Sequence, residues 1–189
     1  LQYLTVDHSG WSITPYTANA GYDLNGNSIT FPAAILQAPL YDKNASDEEN
    51  YGGIGFIIAH EMTHAFDENG ALFDENGSLN NWWADSDYEA FTQLCDEVIA
   101  FYDGYETVPG ITTNGSLTLS ENVADLGATA CLVQLAREKD ISDYEKLFSA
   151  MANTFAMTYT REYAEFAENN DPHSDGKARI NRVVVQFEE

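Results

Sequence analysis

Two histidines four residues apart, in the segment His60-Glu61-Met62-Thr63-His64, restrict this chain more than any other feature. On a helix such residues lie on one face, so both imidazoles can bind one metal ion. Zinc favours nitrogen ligands, and a catalytic zinc site has three protein ligands and a water, so the motif lacks one ligand. Glu61 is a candidate general base for that water. The apolar approach, residues 54–59, predicts a buried helix, while an amphipathic helix with two ordinary histidines is the alternative.

Acidic residues dominate the charge of the chain. There are 31 Asp and Glu against 8 Lys and Arg, which gives a net charge of −23. Nucleic acids and anionic membranes require a basic footprint, so neither is an expected partner. Between Lys43 and Arg137 the sequence has no basic residue, and this interval contains the histidine pair, where an acidic field favours a cation. The longest apolar run, around residues 53–59, is too short for a membrane span.

The spacing of apolar residues predicts a mostly helical chain. Helices are predicted over the histidine motif up to Asn69-Gly70 and over residues 85–104, 118–138 and 142–168. Thr118-Leu119-Ser120-Glu121 has the order of a capping box. Ser28–Phe31 is a predicted edge strand, whereas the region from Asn169 onward is a predicted loop. With 44% hydrophobic residues, the 189 residues are expected to form one α+β, predominantly helical domain.

Glu121 and Asp125 lie four residues apart on a predicted helix and are the next candidates for the metal site. An isolated acidic pair is usually exposed to solvent. Here Leu119, Val123 and the small residues 127–130 indicate a packed face, and a buried carboxylate needs a cation or a hydrogen-bond donor. Glu121 would complete a His, His, Glu zinc set, and Asp125 could accept the free ring N–H of a zinc histidine.

The segments HEMTHAFD (residues 60–67) and ENVAD (residues 121–125) resemble the neprilysin and endothelin-converting-enzyme family of zinc metallopeptidases, which are gluzincins. Further elements agree in the same order: Asn19-Ala20-Gly21-Tyr22, Phe31–Gln37, Trp82-Trp83, Asp171-Pro172-His173-Ser174 and Lys177–Asn181. The resemblance implies a zincin-type domain with a small β-sheet edge and one zinc ion. It also implies oligopeptide substrates that are cut on the amino side of large hydrophobic residues.

The same resemblance implies roles for individual residues. The zinc ligands would be His60, His64 and Glu121, and Glu61 would activate the water as general base. Asp125 and Asp67 would support the zinc histidines by hydrogen bonds.

The resemblance also implies the residues that contact the substrate. His173 would stabilise the oxyanion of the tetrahedral intermediate, and Arg179 would hold a substrate carbonyl or terminal carboxylate. Asn19 and the backbone of Ala20 would bind the peptide in extended form, as an added strand.

Members of this family carry a long amino-terminal portion that encloses the active site. The chain is therefore expected to be a catalytic fragment, with the amino-terminal domain of the same protein as its partner. The alternatives are a restricted processing peptidase, a zinc-bound but non-catalytic peptide-recognition module, and a fragment that is inactive alone. An extracellular or cell-surface location is expected, with a cytoplasmic one as the alternative.

Three residues have no role in this scheme. Cys95 and Cys131 are compatible with free thiols, with one disulfide bridge, or with partners elsewhere in a longer protein. His8 is expected at the surface.

Overall fold

The structure is a computed structural model that describes residues 10–187, so His8 lies outside the described residues. The described helices are α1 (Asp47–Asn50), α2 (Phe56–Thr63), α3 (Asp85–Tyr102), α4 (Leu119–Glu138), α5 (Tyr144–Thr154), α6 (Arg161–Asn170) and α7 (Gly176–Val184). The strands are β1 (Gly21–Asp23), β2 (Ser28–Thr30), β3 (Glu106–Val108) and β4 (Ile111–Thr112). Short 3-10 turns cover Ala33–Ile35 and Gly70–Leu72.

The main core lies where α2, α4, α5 and α7 meet. Phe56, Leu132, Met151, Ala178 and Val183 form its buried cluster. Complete burial of the four larger side chains in this set contributes about 1.5–3 kcal/mol each relative to exposure. This core holds α2, the helix with the histidine motif, directly against α4, the helix with Glu121.

Gly127 sets the distance between α2 and α4. A Cβ atom at this position would lie 2.5 Å from Cγ2 of Thr63 and 2.9 Å from its Oγ1. Only a glycine therefore lets the two helices approach this closely without a shift. The small-residue run that the sequence showed on α4 provides the contact with α2.

A π-helical segment, Tyr51–Gly55, joins α1 to α2. Gly52 lies against the backbone carbonyl of Leu147 in α5, and Gly53 lies against the carbonyl of Leu40, so neither position has room for a side chain. α1 itself begins with a capping box, in which Ser46 and Glu49 exchange side-chain and backbone hydrogen bonds. The segment before α2 is thus fixed at both ends.

Within residues 10–187 the β-strands form two antiparallel pairs, beside one isolated bridge between Phe73 and Leu79. β1 pairs with β2 in the register Gly21↔Thr30, Tyr22↔Ile29 and Asp23↔Ser28, and β3 pairs with β4. The predominantly helical α+β class with a small β-sheet edge is therefore confirmed. Within residues 10–187, every helix is too short or too polar to cross a bilayer.

Two predicted helices, α3 and α4, are confirmed close to their predicted bounds. The prediction over 142–168 corresponds to two helices, α5 and α6, separated by a turn and extended segment at residues 155–160. Both thiols are free, Cys95 in a buried position and Cys131 in an exposed one.

The zinc-motif helix ends earlier than predicted, at Thr63 rather than near Asn69-Gly70. The residues after Thr63 form turns, and Asp67 closes the last of these, because its Oδ1 accepts hydrogen bonds from the backbone N–H of Asn69 at 2.8 Å and of Gly70 at 2.7 Å. These bonds form a tight turn in place of further helix.

The predicted capping box at the start of α4 is wrong. Thr118 is the N-cap residue, but its side chain makes no capping hydrogen bond. Its Oγ1 instead donates to the carbonyl of Asn114 at 3.0 Å and accepts from Nδ2 of Asn122 at 2.9 Å. The side chain of Glu121, which would have closed the box, turns to the two histidines of α2.

The predicted loop after Asn169 is also wrong, because it contains α7. Asp175 caps this helix by accepting the backbone N–H of Lys177 at 2.8 Å. The inward face of α7 carries Ala178 and Val183 together with the buried Arg179. Because Arg179 stands on the buried face of α7, the apolar residues of this segment show only a weak helical period, and the helix was not predicted.

Candidate metal centre

Three side chains from α2 and α4 converge on one point. Nε2 of His60 lies 3.1 Å from Nε2 of His64 and 3.2 Å from Oε2 of Glu121. Nε2 of His64 lies 3.7 Å from Oε1 of Glu121. The predicted ligand set of His60, His64 and Glu121 is therefore within reach of a single ion.

Each histidine has a carboxylate partner on its other ring nitrogen. Nδ1 of His60 lies 2.9 Å from Oδ1 of Asp125, and Nδ1 of His64 lies 2.7 Å from Oδ2 of Asp67. Because an ionised carboxylate can only accept, each Nδ1 donates a proton to its carboxylate, and Nε2 is the nitrogen that each ring directs towards the other ligand candidates. Two ring nitrogens and a carboxylate that face each other at these distances favour a cation between them, and this nitrogen and oxygen set fits zinc.

Asp125 orients His60 from a fully buried position. Burial alone would raise the pKa of Asp125, but the neighbouring Arg179 guanidinium and His60 outweigh it and lower this pKa to about 2. The carboxylate is therefore ionised at neutral pH and holds the tautomer of His60.

Asp67 holds the tautomer of His64, as Asp125 does for His60. It also connects the end of α2 to α4. Burial raises its pKa, but hydrogen bonds from His64, from the backbone N–H of Gly70 and from Ser120 outweigh this effect, so the pKa is lowered. Ser120, on the first turn of α4, donates its hydroxyl to Oδ2 of Asp67. This contact holds Ser120, and with it the adjacent Glu121, against the turn that follows α2.

The carboxylates of Asp125 and Glu121 and the neighbouring histidines shift one another's pKa values. Burial lowers the pKa of His60, but Asp125 and Glu121 outweigh it and raise that pKa to about 9. Burial likewise raises the pKa of Glu121, but His60, His173 and His64 outweigh it and lower that pKa. The histidine and carboxylate groups thus create a strong local preference for positive charge.

Glu61 lies in the same cleft, which has a volume of about 430 Å³. Its side chain is largely buried, and burial raises the pKa of Glu61, although His60 and His64 act in the opposite direction. A carboxylate with a raised pKa is a stronger base than an exposed one, which suits proton abstraction near neutral pH.

His173, from the loop between α6 and α7, also reaches the centre. Its Nε2 lies 3.2 Å from Oε2 of Glu121, and Nδ1 lies 2.7 Å from Oδ1 of Asp171. The same Asp171 oxygen accepts the backbone N–H of His173 at 2.9 Å. Since Asp171 holds the Nδ1 proton, Nε2 is the nitrogen that His173 directs towards the cleft.

Comparison with known proteins agrees with this arrangement. Residues 19–189 match the family profile of Peptidase family M13. The chain belongs to peptidase family M13. The resemblance predicted from the two motifs is therefore confirmed.

The M13 relatives are considerably longer than this chain. It is 46% identical over 185 residues to the neutral endopeptidase of Lactococcus lactis subsp. lactis (strain IL1403). The aligned region covers 97% of this chain and 29% of that relative. The crystal structure of PepO from Lactobacillus rhamnosis HN001 (DR20) superposes with a TM-score of 0.92 at 39% identity, over 97% of this chain and 29% of that one. The zinc metalloprotease Zmp1 of Mycobacterium tuberculosis, in complex with an inhibitor, superposes with a TM-score of 0.88 at 35% identity, over 95% and 30%.

In this M13 chain, Arg179 contacts the metal centre through Asp125. Nε donates to Oδ2 and Nη2 donates to Oδ1, each at 2.7 Å, and the guanidinium carbon lies 4.3 Å from the ring centroid of Phe155. Arg179 as a whole residue is 8% exposed. With Nε and Nη2 engaged, Nη1 is the nitrogen left for the predicted substrate contact.

Asn19 and Ala20 line the cleft at the start of β1. Among the described residues, β1 pairs only with β2, so its other edge has free backbone groups for an extended peptide. The structure therefore brings Asn19 and Ala20, two of the three predicted substrate-binding residues, to the cleft of the M13 centre, whereas Arg179 lines the neighbouring cavity.

Sequence reasoning missed three supporting residues of the M13 site, namely Ser120, Asp171 and Ser174. Ser174 donates its hydroxyl to Oδ1 of the buried Asn122 at 2.8 Å, which fastens the His173 loop to α4. The only available signal was their position next to motif residues, because a serine or aspartate in a loop has many other uses.

Proposed function

We propose that this chain is the catalytic portion of a zinc-dependent metalloendopeptidase that hydrolyses peptide bonds of oligopeptides. The observation that carries the proposal is the convergence of two Nε2 atoms, from His60 and His64, on the carboxylate of Glu121, with Glu61 in the same cleft. One zinc ion, held by His60, His64 and Glu121, would polarise the peptide carbonyl and lower the pKa of a bound water to about 7.

The protein groups around the ligands carry the proton and the charge. Glu61 takes a proton from the attacking water and passes it to the leaving amine, and its raised pKa favours both transfers. As an imidazolium whose Nδ1 proton is held by Asp171, His173 donates from Nε2 to the oxygen that becomes negative as the carbonyl is attacked, and Arg179 donates to it from Nη1. Asp125 and Asp67 fix the tautomers of the two histidines.

The substrate binds as an extended strand. Asn19 and the backbone of Ala20 hold it along the free edge of β1. Leu24, Leu72 and Phe73 supply an apolar wall of the cleft, which supports cleavage on the amino side of large hydrophobic residues.

The whole protein extends beyond this chain in our proposal, because the chain spans 29% of the length of the Lactococcus relative. Residues 1–189 form the catalytic domain, and an amino-terminal domain of the same protein restricts access to the cleft. An extracellular or cell-surface location belongs to the same proposal.

Cleavage of a mixed pool of short peptides tests the chemistry. The 189-residue chain is loaded with zinc and compared with Glu61→Gln, and products are identified by mass. We expect the variant to lose about 10²–10⁴-fold in kcat/KM, the range for a positioned acid–base group. Glu138→Gln, an exposed acid at the far end of α4, is the matched control.

The outcomes separate the alternatives. Activity that persists in Glu61→Gln would overturn the assignment of the general base. Peptide binding without cleavage in the wild type would favour the non-catalytic recognition module. Activity that appears only when the amino-terminal portion is present would show that this fragment is inactive alone. Cleavage of a single folded precursor, without cleavage of any short peptide, would favour a processing peptidase.

Zinc removal is a second test. Dialysis against a chelator should abolish cleavage and lower the melting temperature, since an ion that binds only the folded state stabilises it. Added zinc should restore both. In Glu121→Gln the zinc-dependent part of the melting temperature should be largely lost, because one of three ligands is replaced.

A further inference from the structure

One side of the metal-site helix α2 is apolar and open to solvent in the structure of residues 10–187. Ile58 and Met62 lie one helical turn apart, so they share this side, and they are 39% and 55% exposed. Phe66, in the turn that follows the helix, is 57% exposed. These three large side chains form an open apolar stripe beside the candidate metal centre.

The sequence of α2 is that of a helix covered on more than one side. Phe56 is fully buried in the main core, and Ile57 and Ala59 pack against that core. Ile58 and Met62 are just as apolar but face solvent. Helices that are apolar all round are normally enclosed, whereas a surface helix has a polar outer side. The described part of the chain therefore provides one cover for α2, and its composition indicates a second.

The open stripe ends at an aromatic recess of about 200 Å³. Phe66 and Trp82, of which Trp82 is 46% exposed, line this recess together with Tyr22 and Phe73. Nε1 of Trp82 donates to the carbonyl of Phe73 at 2.8 Å, and the hydroxyl of Tyr22 donates to Oδ1 of Asn27 at 2.7 Å. The indole and the phenol are thus fixed in place. A preformed recess next to an apolar stripe is suited to one large anchoring side chain of a covering segment.

Charge argues against a second copy of this chain as the cover. The net charge is −23, and the interval from Lys43 to Arg137, which contains the whole stripe, has no basic residue between its ends. Two copies that met at the stripe would bring two acidic surfaces together, which is unfavourable.

The length of the M13 relatives points to a cover within the same polypeptide. The aligned region is 29% of the Lactococcus neutral endopeptidase and 29% of PepO, so most of each relative lies outside it. A segment of the same polypeptide also meets the stripe at a high effective concentration, without the cost of bringing two molecules together.

We infer that an apolar segment of the amino-terminal portion of the same protein packs on the open stripe and inserts a side chain into the aromatic recess. The inference rests on the proposed function, which includes that portion. It adds a role in the core, because the portion would enclose the metal-site helix as well as restrict access to the cleft. Met62 is adjacent to Glu61, so the covering segment would also lie next to the proposed general base.

Cysteine labelling of the open stripe tests the inference. Met62→Cys and Phe66→Cys are each made in a Cys131→Ser background, in which the native thiol left is that of the buried Cys95. Both variants are made in the 189-residue chain and in the whole protein, and labelling by a thiol reagent is followed by mass. We expect labelling at both positions to be about tenfold or more slower in the whole protein, since a thiol must be accessible to react.

Glu138→Cys in the same background is the matched control. This exposed position lies at the far end of α4, and its labelling rate should be the same in both proteins. Two positions on the stripe keep the test valid if one variant does not fold, which the melting temperature of each variant shows.

The outcomes are distinct. Equal labelling of the stripe in the chain and in the whole protein would overturn the inference. Slow labelling in the chain alone at high concentration, together with a dimer in sedimentation, would also overturn it and assign the cover to a second copy.

The labelling test is independent of the peptidase proposal, because it requires neither zinc nor cleavage. Protection of the stripe in a whole protein that cleaves no peptide would support the cover and refute the peptidase. Unprotected thiols in a protein that cleaves peptides normally would refute the cover and leave the peptidase.

Discussion

Arg179 and Asp125 form a two-pronged ion pair in which Nε–Oδ2 and Nη2–Oδ1 both measure 2.7 Å. Both residues are buried next to His60, whose Nδ1 also donates to Oδ1 of Asp125. Helix α7 is thus connected to His60, a candidate zinc ligand on α2, through one residue of α4. The stability of the fold and the orientation of the ligand depend on the same carboxylate.

Replacing Asp125 by asparagine should weaken metal binding and stability together. The amide cannot serve both His60 and Arg179, and a buried guanidinium then lacks its counter-charge. We expect zinc affinity to fall about 10–100-fold and the free energy of unfolding to fall by about 3–5 kcal/mol. Competition with a chelator and urea unfolding measure the two effects. Asp96→Asn, at an exposed site on α3, is the control, and equal behaviour of the two variants would contradict the role of Asp125.

Acid should destabilise the zinc-free protein partly through Asp125. The folded-state pKa is lowered to about 2 from the usual 3.8, so the folded state binds fewer protons than the unfolded state between these values. The resulting stabilisation, about 2 kcal/mol, is complete above about pH 4 and is lost as the pH falls through about 2. Urea unfolding from pH 6 to pH 2 should show the gap between wild type and Asp125→Asn narrowing below about pH 4. A gap that stays constant to pH 2 would contradict the lowered pKa.

Gly127→Ala should separate the zinc helix from α4. The new Cβ would meet Thr63, and overpacking of this kind typically costs about 1–3 kcal/mol in the free energy of unfolding. Zinc affinity should fall as well, since the ligands sit on both helices. Thr63→Ala removes the clashing atoms, so the double variant should regain most of both quantities. Failure of this rescue would mean that the close approach does not limit the site.

The two thiols should react at very different rates. Cys131 is exposed, whereas Cys95 is buried and burial raises its pKa to about 11. A thiol reagent at neutral pH should label one cysteine quickly and the second only after denaturant is added. Mass analysis of the labelled peptides should identify Cys131 first. Two unreactive cysteines in denaturant without reductant would indicate a disulfide instead.

The side chains of the candidate metal centre could be brought together from the sequence because their positions follow helical spacing. His60 and His64 lie one turn apart, and Glu121 and Asp125 repeat that spacing on a second helix. The partner of His64 was predictable for a related reason, since Asp67 follows it by three residues. Where local spacing decides the geometry, the sequence is sufficient.

Contacts between distant segments could not be predicted in the same way. Ser174 bonds Asn122, which lies 52 residues earlier, and neither residue has a pattern that points to the other. Helix α7 was missed because Arg179 occupies its buried face, where hydrophobic periodicity expects an apolar residue. Its burial is favourable only because Asp125 lies opposite, which is a property of the folded chain.

The π-helical segment Tyr51–Gly55 has a consequence for how this site can change in evolution. A π turn contains one more residue than an α turn, and each residue rotates the following helix by about 100°. Loss of a single residue there would turn the faces of His60 and His64 away from Glu121, even though the motif itself stayed intact. The number of residues upstream, and not only the identity of the ligands, therefore encodes the direction in which the ligands point. Insertion or deletion of one residue within Tyr51–Gly55 should abolish metal binding as surely as substitution of a histidine.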